Sequence, residues 1–195
     1  MTTRLQKDRN RQYFVDATKN VVIAEGVSNV TVRKIADIAG FSYATIYNYF
    51  HDFDHLLWHV VMSCIDDVVH FLENHLGSKP YTFNKIKEIY REYVSYFLQR
   101  PNVFRLIFFH QIGDPPEEFR SNNSEPILAP LLLTNLEDPG CRRVDKNEVP
   151  VLAKIITSSV HGMLSLYLSK KTDQSPDDLK LNVDKMLAYL LLKRP

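Results

Sequence analysis

His51, His55 and His59 recur at every fourth residue, a spacing that stacks imidazoles on one face of a helix. Two imidazoles at i and i+4 can chelate a metal ion. His51, however, falls ahead of the residue expected to start that helix. No cysteine or carboxylate is placed by spacing to complete the set, so no metal is expected. The two cysteines, Cys64 and Cys141, make no disulfide framework and have no histidine partner visible from spacing. The chain carries no HExxH, P-loop, GxGxxG or GxSxG run, so neither catalysis nor a cofactor is expected.

Residues 42–50, SYATIYNYF, offer a different chemistry. Read as a short helix, they turn Ile46 and Phe50 inward and leave Tyr43, Ala44, Thr45, Tyr47, Asn48 and Tyr49 outside. Short or hydroxylated side chains can approach base edges or phosphates. The N-terminal amides and dipole of a helix favour a phosphate as well. A helix of this width fits the major groove of duplex DNA. The charge distribution agrees in sign, since residues 1–51 carry a formal +3 in a chain whose total is only +1. The near-neutral total argues against a protein that coats nucleic acid unselectively.

Period-3.6 patterning dominates, with no convincing alternating strand pattern, so the fold is expected to be all-α. Helices are expected at 4–25, 32–39, 43–49, 53–76, 82–99, 101–112, 125–137, 149–170 and 176–193. The first should bury Phe14, Ala17, Val21 and Ala24 along one face. The second opens on Thr31 as N-cap and turns Val32, Ile35, Ala36 and Ala39 inward. Gly40 then makes a tight turn, Phe41 plugs the gap between helices, and Ser42 caps the next one. Two short helices joined by a glycine turn, the first packed through small alanines, form the helix-turn-helix arrangement. Pro115, Pro116, Asn122, Asn123, Pro139 and Gly140 mark loops around the 125–137 helix. The last helix opens with Ser175 as cap, Pro176 at its first position, and Asp177 and Asp178 at the positive end of the dipole.

The polar, basic N-terminus carries no signal-peptide pattern, and no apolar run approaches the roughly 20 residues that span a bilayer. A cytoplasmic protein with reduced thiols and no membrane partner is expected.

Residues 31–57, TVRKIADIAGFSYATIYNYFHDFDHLL, resemble the signature of the TetR family of transcriptional regulators. The resemblance rests on Thr31, Ile35, Ala36, Ala39, Gly40, Ser42, Thr45, Tyr47, Tyr49, Phe50, Asp52 and Leu56. It implies a three-helix DNA-binding unit over residues 1–52 and a helical effector-binding and dimerisation domain over 53–195. It further implies phosphate contacts from Thr45, Tyr47 and Tyr49, a base or phosphate contact from Arg33, and bases facing Tyr43, Ala44 and Asn48. One position departs from the family: Phe53 stands where a lysine usually meets a phosphate, leaving that contact to be lost or supplied by His51 or the N-terminal arm. A TetR-like fold that binds a protein partner and has given up DNA is the rival reading.

The resemblance also implies a homodimer through the 149–170 and 176–193 helices, on a palindromic operator. It implies release by a small effector that acts through the 53–76 helix. The first dimer helix offers a wide apolar surface with Ser158, Ser159 and Gly162 beside it, and small residues let helices approach closely. Aromatic side chains crowd 90–109. Trp58, Met62, Tyr93, Phe97, Phe108, His161 and Tyr167 are the expected effector contacts, and their character suits an apolar or aromatic ligand.

Overall fold

The computed structural model describes residues 4–120 and 128–193 and is all-helical, with isolated bridges as its sole β pairing among those residues. The helices are α1 (Arg4–Glu25), α2 (Val32–Ala39), α3 (Phe53–Leu76), α4 (Phe83–Gln99), α5 (Pro101–Phe108), α6 (Glu117–Arg120), α7 (Leu128–Thr134), α8 (Val149–Leu168) and α9 (Pro176–Leu191). Short 3₁₀ segments lie at Val27–Asn29 and Tyr43–Asn48. The chain divides into two compact units, Met1–Val69 with Arg100–Ser124, and His70–Gln99 with Glu125–Pro195. This division follows packing, whereas the boundary expected at residue 52 follows the resemblance.

In the first unit α1 packs on α2 and α5, and α2 packs on the Tyr43–Asn48 helix. Phe14, Val15, Ala17, Thr18, Val21 and Val22 are buried on α1. Ala24, expected on that face, is exposed, because the core-facing stripe ends two residues earlier at Val22. Thr18 is the polar member of the stripe, and its hydroxyl donates to the Phe14 carbonyl at 2.7 Å. That local bond satisfies a group which would otherwise be buried without a partner. From α3, Leu56, Leu57, Val60, Val61 and Cys64 complete this core, where burial pushes the Cys64 thiol up to about 11.

The second unit packs α7 on α8, α8 on α9, and α4 on both α8 and α9. Leu152, Ile156, Val160 and Leu164 of α8 are buried, as are Leu179, Val183, Leu187 and Leu191 of α9. Asp184 lies in the same face of α9 and accepts from Arg91 of α4, whose Nε reaches both carboxylate oxygens at 3.2 and 3.1 Å. A charge so placed is tolerable because it is paired and hydrogen-bonded.

Element ends follow their caps. Ser175 and Asp178 form a reciprocal capping box with Pro176 at the first helical position. Helix α5 stops at Phe108, short of the expected residue 112, because the amides of Phe109 and His110 both turn back onto the Arg105 carbonyl. The expected 125–137 helix is seen as α7, and its first three residues, Pro126 among them, lie outside the described residues, as do Asn122 and Asn123. Two helices, α3 and α8, are long and apolar enough to cross a membrane, with mean hydropathy 1.2 and 1.4. This corrects the expectation that no apolar run approaches that length. Charges at Asp54, Asp66 and Asp67 break up α3, and its apolar side chains are the core just described.

Gly40 ends α2 in the left-handed region at φ 76°, and a Cβ there would meet nothing within 4 Å. The whole penalty of a side chain is therefore conformational. Gly40→Ala should lower unfolding stability by about 1–2 kcal/mol, read as a shift of the urea midpoint at unchanged m-value.

Candidate nucleic-acid interface

The site begins with Thr31, whose hydroxyl accepts from the Lys34 amide at 3.3 Å and starts α2. Ile35 and Ala36 are buried, and the Phe41 amide closes the turn onto the Ala36 carbonyl at 2.9 Å. The next helix is 3₁₀ over Tyr43–Asn48, where an α-helix over 43–49 was expected. Its composition explains the difference: β-branched Thr45 and Ile46 and two tyrosines are weak α formers, and six residues cannot offset the cost of nucleating a helix. Ser42 does not cap it through its hydroxyl, as was expected. That group pairs with the Thr45 hydroxyl at 2.8 Å, and the Ser42 carbonyl accepts the Thr45 amide at 2.9 Å.

Ile46 and Phe50 anchor this helix in the core at 1% exposure each. On its outer side Tyr43 is 58% and Tyr47 52% exposed, with Ser42, Ala44 and Asn48 exposed beside them. Thr45 and Tyr49 are half-buried. On α2, Arg33 is exposed, whereas Lys34 is paired with Glu25 at 2.5 Å. The residues expected to face DNA thus all lie in the first unit, and all but Thr45 and Tyr49 are exposed.

Sequence reasoning missed two residues of α1. Asn10 donates through Nδ2 to the Tyr49 hydroxyl at 2.9 Å, and Arg11 donates to the Tyr49 carbonyl at 3.4 Å. The guanidinium of Arg11 also lies 5.9 Å from the centre of the Phe50 ring. Nothing in their local spacing signals a partner 38 or 39 residues away.

Beyond the helix, Asp52 accepts the His55 amide at 2.7 Å, and that bond first, then His51, holds its carboxyl below the usual range. His51 is 87% exposed, while Phe53 is half-buried in the first turn of α3. Among the described residues, His55, His59 and Glu118 are placed so that they could hold a metal ion. Sequence spacing supplied no carboxylate for the histidines, and α6 brings one. Burial first, and then the charge of Arg11, lowers His59 to about 4.

The expected effector contacts divide between the units. Trp58, Met62 and Phe108 belong to the first, where the Trp58 indole N–H donates to the Gly113 carbonyl at 2.9 Å and Phe108 is 38% exposed. Tyr93, Phe97, His161 and Tyr167 belong to the second. There the Tyr93 hydroxyl lies 2.6 Å from His161 Nε2 with the rings stacked, and Phe97 packs edge-on to Tyr93 at 5.0 Å. One turn away, the Tyr90 hydroxyl is buried with no hydrogen-bond partner among the described residues.

A short, capped helix, a left-handed glycine turn and an exposed second helix on a buried base define a helix-turn-helix DNA-binding unit. Residues 14–58 match the family described as bacterial regulatory proteins, tetR family. The match covers the helix-turn-helix and the segments that flank it. Solved structures share the fold over nearly the whole length. A TetR family transcription regulator from Marinobacter aquaeolei VT8 is 23% identical at a TM-score of 0.64, with 98% of this chain and 100% of that one covered. A TetR-family regulator from Haemophilus influenzae RD is 16% identical at 0.62, covering 97% and 100%. RolR, solved with the ligand resorcinol, is 19% identical at 0.62, covering 94% and 90%. No curated protein sequence matches the chain.

Burial lowers His161 to about 4, so its imidazole is neutral at neutral pH and accepts from Tyr93. The folded-state value lies below the unfolded one, near 6.5. The unfolded chain therefore binds more protons between the two values, and the contribution is full above about 6.5 and lost as pH falls toward 4. Denaturant titrations of wild type and His161→Gln should diverge by about 2 kcal/mol between pH 7 and pH 5, the variant losing less. Parallel curves would show that His161 does not titrate in that window.

Proposed function

We propose that the chain is a TetR-family regulator, a homodimeric repressor that binds a palindromic operator and is released by a small aromatic effector. One observation carries the DNA-reading half. Tyr43, Ala44, Tyr47 and Asn48 stand exposed on a helix whose opposite side, Ile46 and Phe50, is fully anchored, with Arg33 exposed on the neighbouring helix. Arg33, Ser42, Thr45, Tyr47 and Tyr49 are assigned to the sugar–phosphate backbone, which sets position, and Tyr43, Ala44 and Asn48 to base edges, which set specificity. His51 takes over the phosphate contact that Phe53 cannot make. The working division of labour is a DNA-binding domain over residues 1–52 and an effector and dimer domain over 53–195, acting on DNA in the cytoplasm.

Dimerisation is supported by apolar residues left outside on helices whose other faces are core. On α8 these are Val151, Ile155 and Leu166, at 62%, 46% and 54% exposure, and on α9 they are Leu181 and Tyr189, at 45% and 68%. A two-fold pairing of these helices would present two recognition helices, and two half-sites about 34–36 Å apart or a multiple of that turn require such symmetry. Leu166→Asp places a charge in that seam without touching the core. Sedimentation should then show monomers at concentrations where the wild type is dimeric; an unchanged dimer would remove the α8 seam from the proposal.

The effector assignment rests on the second unit, where Tyr93, Phe97, His161 and Tyr167 are the candidate contacts and the Tyr90 hydroxyl needs a partner. Trp58, Met62 and Phe108 are the candidates carried by the first. The fold's occurrence with resorcinol in RolR supports a small phenol-like ligand. Helix α3 contributes residues to both units and is the element through which ligand binding would alter recognition-helix spacing, given unequal affinity for the two states.

The test is selection of random duplex fragments by the full chain at moderate salt, with Tyr47→Ala alongside. The wild type should enrich a palindrome, and the variant should bind it at least about tenfold more weakly, with CD confirming its fold. Equal enrichment by both, or none by either, would overturn the DNA-reading assignment and favour a protein partner.

A further inference from the structure

The imidazoles of His55 and His59 stand on successive turns of α3, with their Nε2 atoms 3.3 Å apart. Glu118 of α6 brings Oε1 to 3.2 Å from the first and 3.3 Å from the second. Three donor atoms therefore form a nearly equilateral triangle. Hydrogen bonding alone accounts poorly for this shape. His55 Nε2 lies within hydrogen-bonding reach of both Glu118 Oε1 and His59 Nε2, and its single N–H cannot point along both edges. A tetrahedral ion with bonds of about 2.0–2.1 Å has its ligand atoms about 3.4 Å from one another. We propose that His55, His59 and Glu118 bind one divalent transition-metal ion of the zinc type, with a fourth position left open to water. This site goes beyond the DNA-binding reading and does not depend on it.

The surroundings are built to hold the three donors. The Gly113 amide donates to Asp54 at 3.1 Å and the Trp58 indole N–H donates to the Gly113 carbonyl, so the chain leading into α6 is fastened to the first turns of α3. Phe50 meets His55 and His59 edge-on at 5.9 and 5.4 Å, and Phe119 meets His59 at 4.9 Å. These rings fix the imidazole planes and form an apolar wall. The Glu118 side chain, 50% exposed, leaves the other side open to solvent. Two imidazole nitrogens and one carboxylate oxygen suit zinc, cobalt or nickel, whereas magnesium and calcium take oxygen ligands. The His51 amide donates to His55 Nδ1 at 3.1 Å, which puts the His55 proton on Nε2, inside the triangle. Metal binding through Nε2 would move that proton to Nδ1 and leave the exposed His51 amide to water. The ion would thus join α6 to α3 directly beyond Phe50 and act on the residue that follows it.

The experiment uses the untagged full chain, stripped with a chelator and titrated with Co²⁺ while visible absorption is followed. The expected result is one equivalent per chain, with the intense visible bands of tetrahedral cobalt, bleached when Zn²⁺ displaces it. Glu118→Gln and His59→Asn should each weaken binding at least tenfold. His51→Ala, which alters a side chain outside the triangle, should retain it. Glu118 is surface-placed, so its variant keeps the fold, and CD checks both. Absence of saturable bands, or bands that survive Glu118→Gln and His59→Asn unchanged, would overturn the site.

Discussion

Phe14 is the contact on which the exposed second helix of the helix-turn-helix depends. It is fully buried and meets Phe41 at 5.0 Å, Tyr49 at 5.6 Å and Phe50 at 6.3 Å between ring centres. A six-residue 3₁₀ helix has no stability of its own, so its orientation is borrowed from what it packs against. One aromatic ring on α1 thereby fixes the turn before the helix and both residues that close it. Aromatic pairs in offset or edge-on geometry contribute beyond their buried area, which makes this cluster a stiff support and more than an apolar filler.

The arrangement separates support from contact. Ile46 and Phe50 hold the helix from within, Asn10 and Arg11 hold its end from α1, and the tyrosines outside carry no share of the core. A buried position here tolerates little change in volume, whereas the exposed ones are free to vary in chemistry. The second unit follows the same logic on a larger scale. Its buried stripes on α8 and α9 are continuous, and its outward apolar residues are additional to what the monomer's core requires.

The helix-turn-helix was legible in the sequence because its determinants are local. Thr31, Gly40, Phe41, Ile46 and Phe50 act within one or two turns, and their types at those spacings admit few other structures. Features made by distant residues were not legible. Glu118 meets a histidine 63 positions away through a four-residue helix with no apolar periodicity, so no spacing argument could reach it. Arg91 and Asp184 are 93 positions apart, and a lone aspartate in an apolar stripe gives no sign of its partner. Even locally, competition decided some outcomes. Ser42 has the right type for a cap, yet Thr45 three residues on offered its hydroxyl a closer partner. Ala24 has the right period for the core, but alanine is small enough to sit on either side of the point where the stripe ends.

The Asn10–Tyr49 hydrogen bond has a consequence for how this surface could diversify. With its oxygen occupied by the asparagine amide, the tyrosine hydroxyl keeps one hydrogen and so favours an anion as its partner. On the proposed reading, grip on the nucleic-acid chain would run through α1, while Tyr43, Ala44 and Asn48 stand exposed on the outer side of the helix. A lineage of such proteins could change which letters it reads by drift at those three positions. The strength of its hold would be inherited unaltered, so vocabulary and grip could evolve on separate clocks.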